Sequence, residues 1–191
     1  MKFLFACFLI TLAFPTSITV ELKTGSKTES LTKAQLEKLL SVYDLSKYTF
    51  TRTVLIEDKA IPHSDPVLTL STRYLDSDDK LLTAYIHEQL HWYLDAHPRE
   101  TQQAETELRK LYPSVPVGYP DGAKDEESTY LHLIDCYLEV KADENFLGPE
   151  RAAALLHFLE NDHYRWVYRM VGRDNSAIDA IVERAHLSPE G

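Results

Sequence analysis

Ala84-Tyr85-Ile86-His87-Glu88-Gln89-Leu90-His91-Trp92-Tyr93 is the stretch on which the reading of this chain turns. Two histidines stand four residues apart, and a glutamate directly follows the first. On a helix, positions i and i+4 share a face, so both imidazoles can reach one point in space. Glu88 is rotated by about 100 degrees from His87, which puts its carboxylate beside that point. The remaining positions, Tyr85, Ile86, Gln89, Leu90, Trp92 and Tyr93, are uncharged on every side. A helix apolar all round is a buried helix. Two buried imidazoles beside a buried carboxylate need partners, and a metal ion is one that satisfies both rings.

Ser77-Asp78-Asp79 precedes the stretch as an N-cap followed by acids at the positive end of a helix dipole. Pro98 follows it. These signals predict a helix from about Asp78 to Asp95. Upstream, Ile18–Leu22 alternates as a short strand, and Thr32-Lys33-Ala34-Gln35 reads as a capping box opening a helix through about Ser41. Tyr48–Ile56 and Val67–Thr72 read as strands, with Pro62 and Pro66 in the turn between them. Downstream, helices are predicted over about Arg99–Leu111 and Glu126–Asn145. Pro113, Pro116, Gly118, Pro120 and Gly122 make a loop between those two. Two or three further helices are predicted over Glu150–Ala185. A small N-terminal β-sheet followed by a mainly helical half is an α+β fold.

The 191 residues suit one domain with a real core, here residues 18–191. The hydrophobic fraction of 44 % and the charged fraction of 26 % are ordinary globular values, which argues against disorder or a fibrous repeat. A net charge of -10 repels phosphate backbones, so nucleic acid is not an expected partner. Residues 1–17 place Lys2 before an apolar run from Phe3 to Phe14 and then Pro15-Thr16-Ser17. This is the pattern of a secretory signal peptide, predicting a secreted or periplasmic protein with no stable membrane span once the leader is removed. An uncleaved N-terminal anchor is the alternative. Cys7 lies in that leader. Cys136 is then alone, excluding an intrachain disulfide, and its apolar surroundings predict burial.

The chemistry predicted for His87, Glu88 and His91 is that of zinc. The imidazoles bind the ion, and Glu88 acts as general base toward a water whose pKa zinc lowers from 15.7 to about 7. The stretch resembles the zincin metallopeptidases. Glu139-Val140-Lys141-Ala142-Asp143 resembles the E-x-x-A-D segment of their gluzincin branch, while the longer metzincin pattern is absent. The resemblance covers the two helices and not the whole chain. His163–Tyr168, taken with the motif, also resembles small bacterial proteins to which no activity attaches. The resemblance implies Zn2+, a peptide or protein substrate paired along a sheet edge such as Val67–Thr72, and Glu139 as third ligand.

Helical spacing leaves a choice at that third position. His132, Asp135, Cys136, Glu139 and Asp143 share one stripe of a helix. His132 and Glu139 stand two turns apart, roughly 10 Å along the axis, so they do not bind one ion together. Glu139 is preferred because Ala142 beside it allows close helix approach, and His132 is the alternative. With Glu139 as ligand, Asp143 is expected at an imidazole N–H. His163 and Tyr164, between two helices, are the candidate donors to a developing oxyanion. Trp166 and Tyr168 are read as packing residues, and His63, His97, His157 and His186 as surface histidines. A zinc hydrolase of a non-peptide substrate and a non-catalytic zinc-stabilised binding domain remain alternatives to a peptidase.

Overall fold

The computed structural model describes residues 18–189. The leader reading falls on residues 1–17, outside the described residues. The chain is α+β: a small sheet at the N-terminal end and a mainly helical remainder.

The sheet has three parallel strands in the order β1-β2-β3: β1 (Thr19–Leu22), β2 (Thr53–Glu57) and β3 (Leu68–Ser71). Val20 pairs with Val54 and Val54 with Leu68, so apolar side chains stack across the sheet. α1 (Lys27–Val42) makes the crossover from β1 to β2. It starts earlier than the Thr32 signal predicts, because Ser26 and Glu29 form the capping box instead. Glu29 reaches further than a cap requires. One oxygen accepts the N–H groups of Thr24, Gly25 and Ser26 and the Thr24 hydroxyl, and the other accepts Asp58 N–H. It thereby ties the ends of β1 and β2 to α1.

The predicted strand Tyr48–Ile56 is shorter in the structure. Ser46–Tyr48 is a 3-10 turn. Phe50 and Thr51 do not join the sheet because Gln89 takes their backbone. Its Oε1 accepts both N–H groups at 2.7 and 2.9 Å, and its Nε2 donates to Thr51 C=O at 2.9 Å. The segment between β2 and β3 contains Pro62 and Pro66 and no helix. It closes a parallel connection, not a hairpin.

α2 (Asp78–Ala96), α3 (Pro98–Leu111), α4 (Glu126–Leu147), α5 (Pro149–Asp162), α6 (Arg165–Arg173) and α7 (Asn175–Arg184) make up the helical part. α4 packs against α2, α3, α5, α6 and α7, and it is buried on all sides. α2 lies between α4 and the sheet, touching β3 and α1. Leu81, Leu82, Tyr85, Ile86 and Leu90 of α2 are fully buried, as are Leu133 and Ile134 of α4. At about 25 cal/mol per Å² of apolar surface, such residues hold both helices rigidly in place. Among the described residues no helix is long and apolar enough to cross a membrane.

Candidate metal centre

The contact between α2 and α4 brings four metal-competent side chains together. His87 and His91 come from α2, and His132 and Asp135 from α4. Their donor atoms all lie within 4.8 Å of one another. Asp135 Oδ2 stands 3.3 Å from His87 Nε2 and 3.1 Å from His91 Nε2. Donors 2.0–2.1 Å from a tetrahedral zinc ion stand about 3.3 Å apart. The spacing therefore fits one ion between them.

His132 and His87 are each held with a free ring nitrogen inward. His132 donates Nδ1–H to Ser128 C=O at 2.6 Å, leaving Nε2 as a lone pair. His87 donates Nδ1–H to Glu139 Oε2 at 2.9 Å, which likewise leaves its Nε2 bare. That lone pair faces a carboxylate oxygen, and two acceptors facing each other repel unless a cation lies between them. Asp135 is fully buried, and neither of its oxygens has a hydrogen bond among the described residues. A buried carboxylate without donors is costly, and a bound cation is the remedy these surroundings admit.

The proton equilibria follow the same logic. Burial, reinforced by neighbouring imidazole charge, lowers His91 to about 2. Burial likewise lowers His132 to about 3. Both rings are neutral and available as ligands at neutral pH. Burial alone would lower His87 too, but the Asp135 charge and hydrogen bonds to Cys136 and Glu139 push it well above its usual value. Without a metal ion, a proton is the cation these carboxylates draw in. Burial pushes Asp135 itself well above the usual carboxylate range.

Glu139 is not placed where the sequence reading expects it. Its Oε1 accepts the Thr83 hydroxyl at 2.5 Å, and its Oε2 accepts His87 Nδ1–H and the Tyr168 hydroxyl at 2.8 Å. With three donors it is satisfied, and it lies on the Nδ1 side of His87. The geometry therefore favours His132 and Asp135 over Glu139 as companions of the two motif histidines, with Glu139 hydrogen-bonded to one of them. A second grouping, His87 with Cys136 and Glu139, also has its donor atoms within 4.8 Å. It fits an ion less well, because Glu139 is already saturated and burial raises the Cys136 thiol to about 12. Asp143 is likewise not at an imidazole. It bonds the Thr83 hydroxyl at 2.7 Å. Tyr168 does more than pack, since it donates to Glu139.

Beside the cluster is a cavity of about 420 Å³, whose lining includes His87, Glu88, His163 and Tyr164. Glu88 is 5 % exposed. Burial raises it to about 7 against the opposing charges of His87 and His63. The Tyr164 ring lies 4.2 Å from that of His132 and nearly parallel to that of His87 at 6.2 Å. Its backbone sits at φ 47°, ψ 38°, the left-handed region, immediately before α6. For a tyrosine this costs about 1–3 kcal/mol, a strain concentrated at functional sites. His163 is only half-buried, with Nδ1 2.8 Å from Asp162. Of the other histidines, His157 is exposed, and His97 donates Nδ1–H to Tyr93 C=O at the end of α2.

The sheet edge foreseen for a substrate is partly taken. His63 pairs with Thr69 of β3 through both of its backbone groups, at 3.1 and 2.8 Å. Asp135 is the site residue that the sequence reading passed over as a ligand. Its signal was present in the spacing His132-x-x-Asp135, three residues apart on the stripe. No family model, curated protein or solved structure matches this chain.

Proposed function

We propose that the chain is a zinc-dependent hydrolase acting on an amide bond, with His87, His91, Asp135 and His132 holding the ion and Glu88 as general base. The observation that carries this reading is Glu88. A group that only binds metal needs no buried carboxyl beside it, opening on a cavity and raised to about 7. A base is most effective when its pKa lies near the working pH. Bound here, zinc would supply the Lewis acidity that brings water within reach of such a base.

The chain's own residues then divide the work. Glu88 takes the proton from the attacking water and returns it to the departing nitrogen. Tyr164, held by its strained backbone at the cavity wall, offers its hydroxyl to the oxygen that gains charge. Burial raises that phenol to about 12, so it stays a donor at neutral pH. Glu139 fixes the tautomer of His87, with Thr83 and Tyr168 fixing Glu139 in turn.

A second reading has one observation in its favour. Four protein donors can fill a tetrahedral zinc ion and leave no position for water, as in structural sites. Glu88 separates the two readings. Zinc content of the purified protein is measured by mass spectrometry, and hydrolysis is followed on a peptide library. Stoichiometric zinc with cleavage lost in Glu88→Gln supports the hydrolase. Stoichiometric zinc, with any hydrolysis indifferent to Glu88→Gln, supports the structural site. A folded protein that binds no zinc sinks both.

A further inference from the structure

The β3 edge and the cavity mouth together bear on what enters the site. In a strand, the backbone groups of successive residues face opposite edges. Thr69 sends both its N–H and its C=O to His63, so it faces away from β2, as does Ser71 by alternation. Those are the two outward residues of a four-residue strand. Thr69 is occupied, and Ser71 ends the strand with its hydroxyl accepting Arg73 N–H. A peptide laid along β3 would find at most one residue to pair with, too little for the main-chain ladder that strand addition uses.

The segment that covers the edge is fixed from two sides. His63 is bound to β3, and Ser64 C=O accepts the indole N–H of Trp92 on α2 at 3.1 Å. Just before them, Ile61 and Pro62 form one wall of the cavity. Another part of the lining is the loop carrying Tyr119, tied to α6 by Arg165 N–H to Pro120 C=O and Trp166 N–H to Asp121 C=O. Ile61 is 86 % exposed and Tyr119 80 %, the two most exposed large apolar side chains among the described residues. Both stand at the mouth of one cavity. A volume of about 420 Å³ is near the small end of ligand pockets, which span about 300–1,000 Å³.

We infer that the site takes short amides with an apolar group, such as dipeptides and tripeptides, and rejects the interior of an extended polypeptide. This rests on the metal-site reading above. Ile61 and Tyr119 grip the apolar group at the mouth, and the Ile61–Ser64 segment excludes a chain that continues along β3. A site open to strand addition would show the reverse preference, because each added residue would add main-chain hydrogen bonds.

The test is binding to the zinc-loaded full chain, read by calorimetry. One probe is a phosphinic dipeptide analogue with leucine-like side chains. The other carries the same phosphinic unit at the centre of a ten-residue peptide blocked at both ends. The short probe is expected to bind at least about tenfold more tightly, and Ile61→Asp and Tyr119→Ser each to weaken it severalfold. Both positions are exposed, so the variants fold. Equal or tighter binding of the long probe overturns the inference and leaves the metal site standing, provided that binding requires zinc. Unchanged affinity in both variants overturns the role of the mouth. Short-probe binding that is absent, or identical with and without zinc, removes the metal-site reading and this inference with it.

Discussion

Glu139 and His87 are joined by a 2.9 Å hydrogen bond to Nδ1, and this bond determines what the opposite face of the imidazole can do. With its one hydrogen committed to Glu139, the ring presents a lone pair at Nε2, 3.3 Å from Asp135. One carboxylate sets the tautomer, and the other is the one proposed to share the ion. The two carboxylates stand four residues apart on α4, and their substitutions are expected to differ in kind.

Asp135→Ala is expected to abolish zinc retention. Glu139→Gln is expected to weaken it by about 10–100-fold while leaving one ion bound at saturating zinc, as is usual for a residue that orients a ligand. Competition with a chromophoric chelator measures both. Complete loss in Glu139→Gln with retention in Asp135→Ala would return Glu139 to the ligand position.

Replacing Asp135 by leucine should separate binding from stability. In chelator, the variant is expected to be more stable than the wild type by about 1–3 kcal/mol, because it removes a buried polar group that lacks hydrogen bonds. In zinc at 100 times its dissociation constant, the wild type gains about 2.7 kcal/mol and the variant gains nothing. Denaturant melts with and without zinc show whether the order changes. A variant less stable than the wild type in chelator would mean that the carboxylate has partners of its own.

Tyr164→Phe keeps the ring against His132 and removes the hydroxyl. If that hydroxyl meets the developing oxyanion, turnover falls about 10²–10³-fold while zinc content and melting temperature hold. Tyr164→Gly should relieve the left-handed backbone and so offset part of what is lost with the ring. Unchanged turnover in Tyr164→Phe would leave the oxyanion to other donors.

Acid stability is expected to depend on Glu29, far from the metal cluster. Burial alone would raise this carboxyl, but the backbone N–H groups of Thr24 and Asp58 and the other donors around it outweigh burial and bring it from 4.5 to about 2. A depressed folded-state pKa contributes stability above the unfolded value and loses it as the pH falls. The contribution is therefore complete above about pH 4.5 and fades toward pH 2. Glu29→Gln should flatten the stability profile in that window. A profile identical to the wild type across pH 2–5 would refute the assignment.

The sequence carries the local information well and the crossing of helices poorly. α2 is legible almost to the residue, because Ser77 caps it and the step to Pro98 ends it. The capping of Phe50 and Thr51 by Gln89 is not legible, since it joins residues 38 and 39 positions apart. The stripe on α4 is legible by spacing, but it runs from His132 to Asp143, roughly 16 Å at 1.5 Å per residue. Which level of that stripe meets His87 and His91 depends on where the two helices cross. Thr83 and Glu139, 56 positions apart, meet at that crossing, and the motif alone does not set it. The group that the geometry favours includes Asp135, one turn along the helix from Glu139 and on the same face. The left-handed backbone of Tyr164 leaves no mark in composition or period.

Thr83 has one hydroxyl hydrogen and two carboxyl neighbours, Glu139 at 2.5 Å and Asp143 at 2.7 Å. It can donate to only one of them, so the other must bring a hydrogen of its own. Burial and the adjacent Glu139 charge push Asp143 well above the usual carboxylate range, which makes it the neutral partner. The hydrogen that Thr83 gives to Glu139 and the hydrogen that Asp143 gives to Thr83 then form one chain. That chain ends at Nδ1 of His87, which Glu139 also holds. The protonation of a carboxyl two contacts away is thereby coupled to the side of the imidazole that faces Asp135.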